Sequence, residues 1–167
     1  KAGQALTVDN TTVVGTVIDE AAAKSLETAI QDAISRGARV LHGGTRQGAL
    51  LHPTILADVP RDSTLGTCEC FGPIAPIFPV RDLADAIAYT NATPYGLSSG
   101  IVTRSLESAI TAIKGIKAGT INVNEIPGYR LELSPFGGIK DSGLGIKEGV
   151  IEAIKFMTTV KTYSLPW

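Results

Sequence analysis

The sequence predicts an α/β fold with a largely parallel sheet whose strands are connected by crossover helices. Apolar residues recur at helical spacing in some stretches and in short extended runs in others, and the two kinds of stretch alternate along the chain. In the second half, the order strand, helix, strand, helix, strand is typical of parallel crossover units. A composition of 44% hydrophobic and 19% charged residues is that of a folded globular domain.

The first helix is predicted over residues 20 to 35. Asp19 is its predicted N-cap, and Gly37 supplies the stop. Apolar side chains recur at helical spacing between these limits, so one stripe of the helix should face a core. Short strands are predicted after it, over residues 39 to 41 and 53 to 56, with a glycine turn between them.

The later elements are delimited by capping residues, glycine and proline. Extended runs are predicted over residues 74 to 80, 99 to 103 and 120 to 124, helices over 82 to 90, after Ser105 and over 147 to 155, and a terminal strand over 158 to 163. In the stretch around Cys68, the apolar residues follow neither helical nor strand spacing. Residues 125 to 145 form a long loop rich in glycine and proline, and ordered loops of that length are usually functional. Without a linker or repeat, residues 1 to 167 are expected to form one domain.

Charge and hydropathy exclude several classes of function. A net charge of −1 without a dense basic run leaves nothing to neutralise a nucleic-acid backbone or to bind an anionic membrane. No apolar stretch has the length of a membrane span, and the N-terminus lacks the pattern of a signal peptide. We therefore expect a cytoplasmic protein. Because the chain begins at Lys1 and its only methionine is Met157, we also expect it to be a fragment.

The two cysteines, Cys68 and Cys70, are separated by one residue. Two residues make neither a four-ligand zinc site nor a disulfide framework, and a pair without a CxxC partner is more often a packing feature than a redox or metal couple. We assign them no chemistry and predict no metal site.

Two residues stand out as ligand contacts. Glu69 lies in a stretch without a periodic face, before an aromatic residue and a Gly-Pro turn, and a carboxylate there can accept hydrogen bonds from the two vicinal hydroxyls of a ribose. A solvent-facing Glu is the alternative. Phe136 follows a proline and precedes two glycines, so backbone can approach a ligand closely there while the ring projects from the turn. A buried Phe that anchors the loop is the alternative.

The segments containing these residues, E-C-F-G-P at 69 to 73 and P-F-G-G-I-K-D-S-G at 135 to 143, resemble the C-terminal signatures of the NAD(P)-dependent aldehyde dehydrogenase superfamily. The A-G-T-I-N-V-N run at 118 to 124 and Tyr95-Gly96-Leu97 fit the same family. The resemblance implies that Glu69 contacts the nicotinamide ribose, that Phe71 packs beside the nicotinamide and that Phe136 lines the aldehyde pocket. Lys140 and Ser142 match as well, and we expect both to support the loop.

The resemblance also implies what the chain lacks. Family members oxidise aldehydes through a thiohemiacetal on a cysteine, with NAD or NADP as hydride acceptor and a glutamate that activates water. The nucleophile, the base and the cofactor domain are expected upstream of Lys1, so the chain contains no catalytic residue and is expected to be inactive alone. Its last residues, 158 to 167, should form the strand that pairs with another subunit in a homo-oligomer.

The loop before Phe136 carries the candidate substrate contacts Tyr129 and Arg130. A guanidinium at this position could bind a phosphonate, phosphate or carboxylate on the aldehyde. A salt bridge from Arg130 to Glu132 or Glu125, or a surface arginine without a binding role, is the alternative. The run P-G-Y-R-L-E-L-S-P-F and the ending K-T-Y-S-L-P-W resemble the phosphonoacetaldehyde dehydrogenase branch. Lactaldehyde, succinate semialdehyde and glyceraldehyde phosphate remain as other substrates, and a non-catalytic assembly or binding module as another class of function.

Overall fold

The computed structural model of the chain describes residues 14–145 and 147–166. The chain divides into two compact units, residues 1–79 and residues 80–167. The sequence predicts one domain because no change in composition marks the boundary.

The first unit contains helix α1, Glu20–Ser35, whose limits agree with the prediction. The Asp19 carboxylate accepts a hydrogen bond of 2.7 Å from the backbone N–H of Ala22, which satisfies one of the free donors at the helix start. Gly37 follows the helix with a φ of +106°, a conformation that glycine adopts without strain. A second, short helix, α2, spans Thr64–Thr67 in the stretch where the sequence shows no period.

In the described residues of the first unit, the strands form two small sheets. Strands β1 (Arg39–His42), β2 (Arg46–Gln47), β3 (Leu50–Leu51), β4 (Thr54–Ala57) and β5 (Ile74–Pro76) follow in chain order. One sheet has the order β1-β4-β5, and β2 pairs with β3 in the other. β4 and β5 are parallel, but β1 and β4 are antiparallel. The antiparallel pairing departs from the expected parallel pattern because only a hairpin, and no crossover helix, lies between β1 and β4.

The core of the first unit lies between α1 and these strands. Ile30 from the helix and Leu51 and Leu56 from the strands are fully buried. They form one cluster with Ala29 and Ala33 of α1, with Val59 and with Leu65 of α2. Burial of this apolar stripe fixes α1 on the strands and brings α2 against it.

One polar contact joins the two helices. The carboxylate of Asp32, on α1, accepts a hydrogen bond of 2.8 Å from the backbone N–H of Thr64 at the start of α2. Arg36 lies 3.8 Å from the same carboxylate. The hydrogen bonds from Thr64 hold the pKa of Asp32 below its ordinary value, and the Arg36 charge acts in the same direction.

This contact predicts a pH-dependent contribution to stability. The folded chain lowers the pKa of Asp32 below the unfolded value of about 3.9, so the ionised carboxylate stabilises the fold above that pH, and the contribution is lost as the pH falls through the folded pKa. Urea unfolding between pH 7 and pH 3 is expected to show Asp32→Asn less stable than wild type at pH 7, with the gap closing in acid. A gap independent of pH would contradict the role of the charge.

The second unit contains the predicted parallel crossover. Helix α3 spans Leu83–Ala92, strand β6 Ser98–Ile101, helix α4 Leu106–Gly115 and strand β7 Thr120–Val123. β6 and β7 are parallel, with α4 between them in sequence. The side chains of Asp82 and Ser105 cap α3 and α4, as the sequence predicts. The α/β class and the parallel crossover are thus confirmed.

The loop after β7 contains a 3-10 helix, Lys140–Ser142, and leads to helix α5, Val150–Met157. The helix starts three residues later than predicted, because Glu148 pairs in extended conformation with Phe136 and Gly149 turns the chain with a φ of +108°. Residues 158 to 163 pair with no strand in the described part of the chain, and Val160 is 93% exposed. Their pairing with another subunit stays a prediction. Within the described ranges, no helix is long and apolar enough to cross a membrane.

Candidate functional site

The first unit presents a cavity of about 350 Å³ beside Glu69, here called the Glu69 cavity. One wall is α1, and the other is the segment that follows α2, from Cys68 to Phe71. The lining comprises Ala22, Ser25, Leu26, Ala29, Thr64, Cys68, Glu69, Cys70 and Phe71. Gly72 brings this segment close to α1, because a Cβ at that position would collide with the side chain of Leu26.

Glu69 and Phe71 are both free to meet a ligand. The Glu69 carboxylate is exposed and takes part in no hydrogen bond or ion pair with the described residues. The Phe71 ring is 83% exposed although it lies on the cavity wall. An unpaired carboxylate beside an exposed flat ring fits a ribose diol and an attached planar ring, so the two residues suit a nicotinamide nucleotide.

The cysteines line the same cavity. Cys68 is exposed and Cys70 half-buried, with the Cys70 thiol 3.7 Å from the backbone carbonyl of Cys68. Burial, and to a lesser extent the neighbouring Cys68 and Glu69, raises the pKa of the Cys70 thiol, so it stays protonated at neutral pH. In residues 14–145 and 147–166, no group of three or more His, Cys, Asp or Glu side chains is placed to hold a metal ion.

The second unit presents a larger, mostly apolar cavity of about 400 Å³, here called the Phe136 cavity. Its apolar lining comprises Leu97, Phe136, Leu144, Ala153, Phe156 and Met157. A neighbouring cavity of about 300 Å³ shares Phe136 and Glu148 and adds Arg130. Phe136 therefore lines both the apolar Phe136 cavity and the neighbouring cavity, which contains the charged side chains of Arg130 and Glu148.

Arg130 lies over the ring of Phe136, with its guanidinium carbon 4.7 Å from the ring centre, within range of a cation–π contact. Its nearest carboxylate belongs to Glu148, at 3.9 Å. The alternative ion pairs that the sequence suggested, with Glu132 or Glu125, are not the ones formed. The structure brings two predicted substrate residues, Arg130 and Phe136, into contact.

Tyr129, the third predicted substrate residue, lines neither of these two cavities. Its backbone carbonyl accepts a hydrogen bond from the Asn122 side chain at 3.1 Å. The same amide donates to the carbonyls of Ile126 and Pro127, so Asn122 holds the first turn of the loop. A contact between Tyr129 and substrate stays a prediction.

A lysine that the motifs do not single out fixes the other side of the loop. The ammonium of Lys147 donates to the carbonyl of Gly119, at 3.1 Å, and to that of Gly137, at 2.5 Å. Gly137 directly follows Phe136, so Lys147 ties the aromatic residue to the start of β7. These bonds join residues that are distant in sequence, which is why no local pattern predicts them.

Lys140 and Ser142 support the loop, as the sequence predicts. The Lys140 ammonium donates to the carbonyls of Asn91, Thr93 and Tyr95 at 2.9 to 3.4 Å, and so satisfies acceptors at the end of α3. The Ser142 hydroxyl accepts from the backbone N–H of Gly96 at 3.0 Å. Both side chains are occupied by these structural contacts.

The comparison with protein families supports the family resemblance seen in the sequence motifs. The model of the family described as "Aldehyde dehydrogenase family" matches residues 1–163. The sulfoacetaldehyde dehydrogenase of Neptuniibacter caesariensis is 38% identical over 90% of this chain, and the lactaldehyde dehydrogenase of Methanococcus aeolicus is 35% identical over 93%. The chain spans 33% of the length of each of these curated relatives.

Solved structures of other proteins are also similar to this chain. Glyceraldehyde-3-phosphate dehydrogenase from Methanocaldococcus jannaschii, complexed with NADP, superposes with a TM-score of 0.85 at 36% identity, over 92% of this chain and 33% of that one. Aldehyde dehydrogenase from Mycobacterium tuberculosis, complexed with NAD+, superposes with a TM-score of 0.82 at 34% identity, over 95% and 33%. From its motifs, its fold and these matches, the chain belongs to the aldehyde dehydrogenase family.

Proposed function

We propose that this chain forms part of an NAD(P)-dependent dehydrogenase that oxidises a small anionic aldehyde to a carboxylic acid. Phosphonoacetaldehyde is the first candidate substrate. The observation that carries the proposal is the guanidinium of Arg130 above the ring of Phe136, at 4.7 Å, at the edge of an apolar cavity. A positive group beside an apolar wall suits a short carbon chain that ends in an anion.

The cofactor contacts proposed here are those of the Glu69 cavity. The unpaired Glu69 carboxylate would accept hydrogen bonds from the ribose hydroxyls, and the exposed Phe71 ring would pack against the nicotinamide side. NAD or NADP, when bound, accepts the hydride that leaves the aldehyde carbon. Burial raises the pKa of the Cys70 thiol, so Cys70 is a poor nucleophile, and we assign the nucleophile to a part of the protein outside this chain.

The substrates named for the relatives support an anionic aldehyde. Sulfoacetaldehyde and glyceraldehyde 3-phosphate both carry a tetrahedral oxyanion group, and a phosphonate has the same shape. An arginine fork binds such groups through two parallel hydrogen bonds. The second candidate, lactaldehyde, is uncharged and follows from other relatives. With that substrate, Arg130 would keep its contact with Glu148 and Phe136.

The cofactor part of the proposal is tested with Glu69→Gln in the protein encoded by the full reading frame. Loss of the carboxylate weakens two charge-assisted hydrogen bonds, so the KM for NAD(P)+ is expected to rise about 10-fold. The KM for the aldehyde should change little. Initial rates of NAD(P)H formation at 340 nm measure both constants.

Glu107→Gln is the matched control, because Glu107 is an exposed glutamate on α4 that lines none of the three cavities. It should leave both constants unchanged. If Glu69→Gln behaved like this control, the ribose contact would be wrong. If the wild-type protein reduced neither NAD+ nor NADP+ with any aldehyde, a non-catalytic assembly or binding module would be the better account.

A further inference from the structure

We propose that Glu148 sets the selectivity of the aldehyde site, by competing with the substrate's anionic group for the guanidinium of Arg130. The inference rests on the proposed function, because it concerns the same site. A glutamate that must be displaced from Arg130 penalises anionic aldehydes but leaves neutral ones unaffected. Glu148 is thus a specificity-determining residue beside the aldehyde cavity.

The backbone of Glu148 is fixed against Phe136. The N–H of Phe136 donates to the carbonyl of Glu148 at 3.0 Å, and the N–H of Glu148 donates back at 2.5 Å. Gly149 follows with a φ of +108°, and a Cβ there would lie 2.9 Å from the carbonyl of Ser134. The position of Glu148 relative to the aromatic wall is therefore set by the backbone and does not depend on its carboxylate.

The carboxylate of Glu148 holds Arg130 loosely. The separation of 3.9 Å is longer than a hydrogen bond, and the side chains of Arg130 and Glu148 are 43% and 73% exposed. Exposed pairs of this kind are weak, so a ligand that offers two oxygens can replace the contact. A guanidinium has five N–H donors in a planar fork, and a phosphonate, sulfonate or carboxylate can use two of them at once.

Glu148 also faces both spaces that an aldehyde would occupy. It lines the apolar Phe136 cavity and the neighbouring cavity that contains Arg130. A negative group in this position repels an anion that approaches Arg130, whereas an uncharged aldehyde meets only the apolar wall. The discrimination should therefore depend on the charge of the substrate and not on its length.

The test compares two aldehydes in the full-length protein. The measured quantity is the selectivity ratio, kcat/KM for phosphonoacetaldehyde divided by kcat/KM for propionaldehyde, in which any effect common to both substrates cancels. Glu148→Gln keeps the size and the backbone pairing but removes the charge. We expect the ratio to rise about 3-fold at low ionic strength and less in high salt.

Two further variants test whether the change in the selectivity ratio comes from the pair of Glu148 and Arg130. Glu132→Gln removes a charge from the same neighbouring cavity, but the carboxylate nearest to Arg130 is that of Glu148, so the ratio should stay near the wild-type value. In an Arg130→Ala background, Glu148→Gln should raise the ratio much less than in wild type, because the two side chains act as a pair.

The outcomes separate the inference from the proposed function. Suppose that Arg130→Ala lowers the selectivity ratio, but Glu148→Gln does not raise it or changes it no more than Glu132→Gln does. The role of Glu148 is then overturned, and the proposed function stands. If wild type shows no preference for the phosphonate and Arg130→Ala changes nothing, the anionic substrate and the role of Glu148 both fail. A rise in the ratio that is independent of Arg130 would also overturn the competition.

Discussion

Arg130→Ala is expected to lower kcat/KM for phosphonoacetaldehyde by about 100-fold. The guanidinium would form two charge-assisted hydrogen bonds to the phosphonate, and their loss costs about 2 to 3 kcal/mol. The loss of the contact with the Phe136 ring, 4.7 Å away, affects every substrate and should cost less than about 1 kcal/mol. An uncharged aldehyde should therefore lose only a few-fold.

Initial rates of the full-length protein with both aldehydes measure this difference. Arg104→Ala is the control, since Arg104 is exposed and lines none of the three cavities. Arg130→Lys should be intermediate, because it keeps the charge but loses the planar fork. An equal fall for charged and neutral aldehydes in Arg130→Ala would show that Arg130 only supports the loop.

Gly119→Ala is expected to destabilise the second unit by about 2 to 4 kcal/mol. A Cβ at Gly119 would collide with the carbonyl of Gly137 and lie 2.8 Å from the ammonium of Lys147. The first contact is with backbone and cannot be relieved by a side-chain rotation, so the loop must move and the Lys147 hydrogen bonds must lengthen. Since Gly137 follows Phe136, activity on charged and neutral aldehydes should fall together.

Urea unfolding of the full-length protein, monitored together with activity, tests this prediction. Gly128→Ala is a matched control in the same unit, because a Cβ there has no neighbour within 4 Å. That variant should be as stable as wild type. Equal stability of the two variants would mean that the close approach of the loop to β7 is not required.

Helices α1, α3 and α4 and the second-unit crossover were predictable from the sequence, because their signals are local. Asp19, Asp82 and Ser105 each cap a helix through a side-chain hydrogen bond within three residues. Helix α2 and the β2–β3 hairpin are too short to show a hydrophobic period, and the sequence gives no sign of either. The antiparallel pairing of β1 and β4 follows from that hairpin and was missed with it.

In the candidate site, too, some residues could be predicted from local sequence and some contacts could not. Glu69, Phe71 and Phe136 lie in short motifs that carry a resemblance to a family, so the sequence identifies them. The contacts of Lys147 with Gly119 and of Arg130 with Glu148 join residues 28 and 18 positions apart, and only the fold reveals them. The alternatives for Arg130 were glutamates close in sequence, whereas its nearest carboxylate is that of Glu148, just before α5.

The most direct test of the central claim is the ratio of kcat/KM for phosphonoacetaldehyde to kcat/KM for propionaldehyde in the wild-type full-length protein, measured by NAD(P)H formation. An arginine fork that binds the anion predicts a ratio of about 100 or more, corresponding to about 2.7 kcal/mol of preferential binding. A ratio near one, or a preference for the neutral aldehyde, would contradict the assignment of Arg130 and the anionic substrate class, although the chain would still belong to the aldehyde dehydrogenase family.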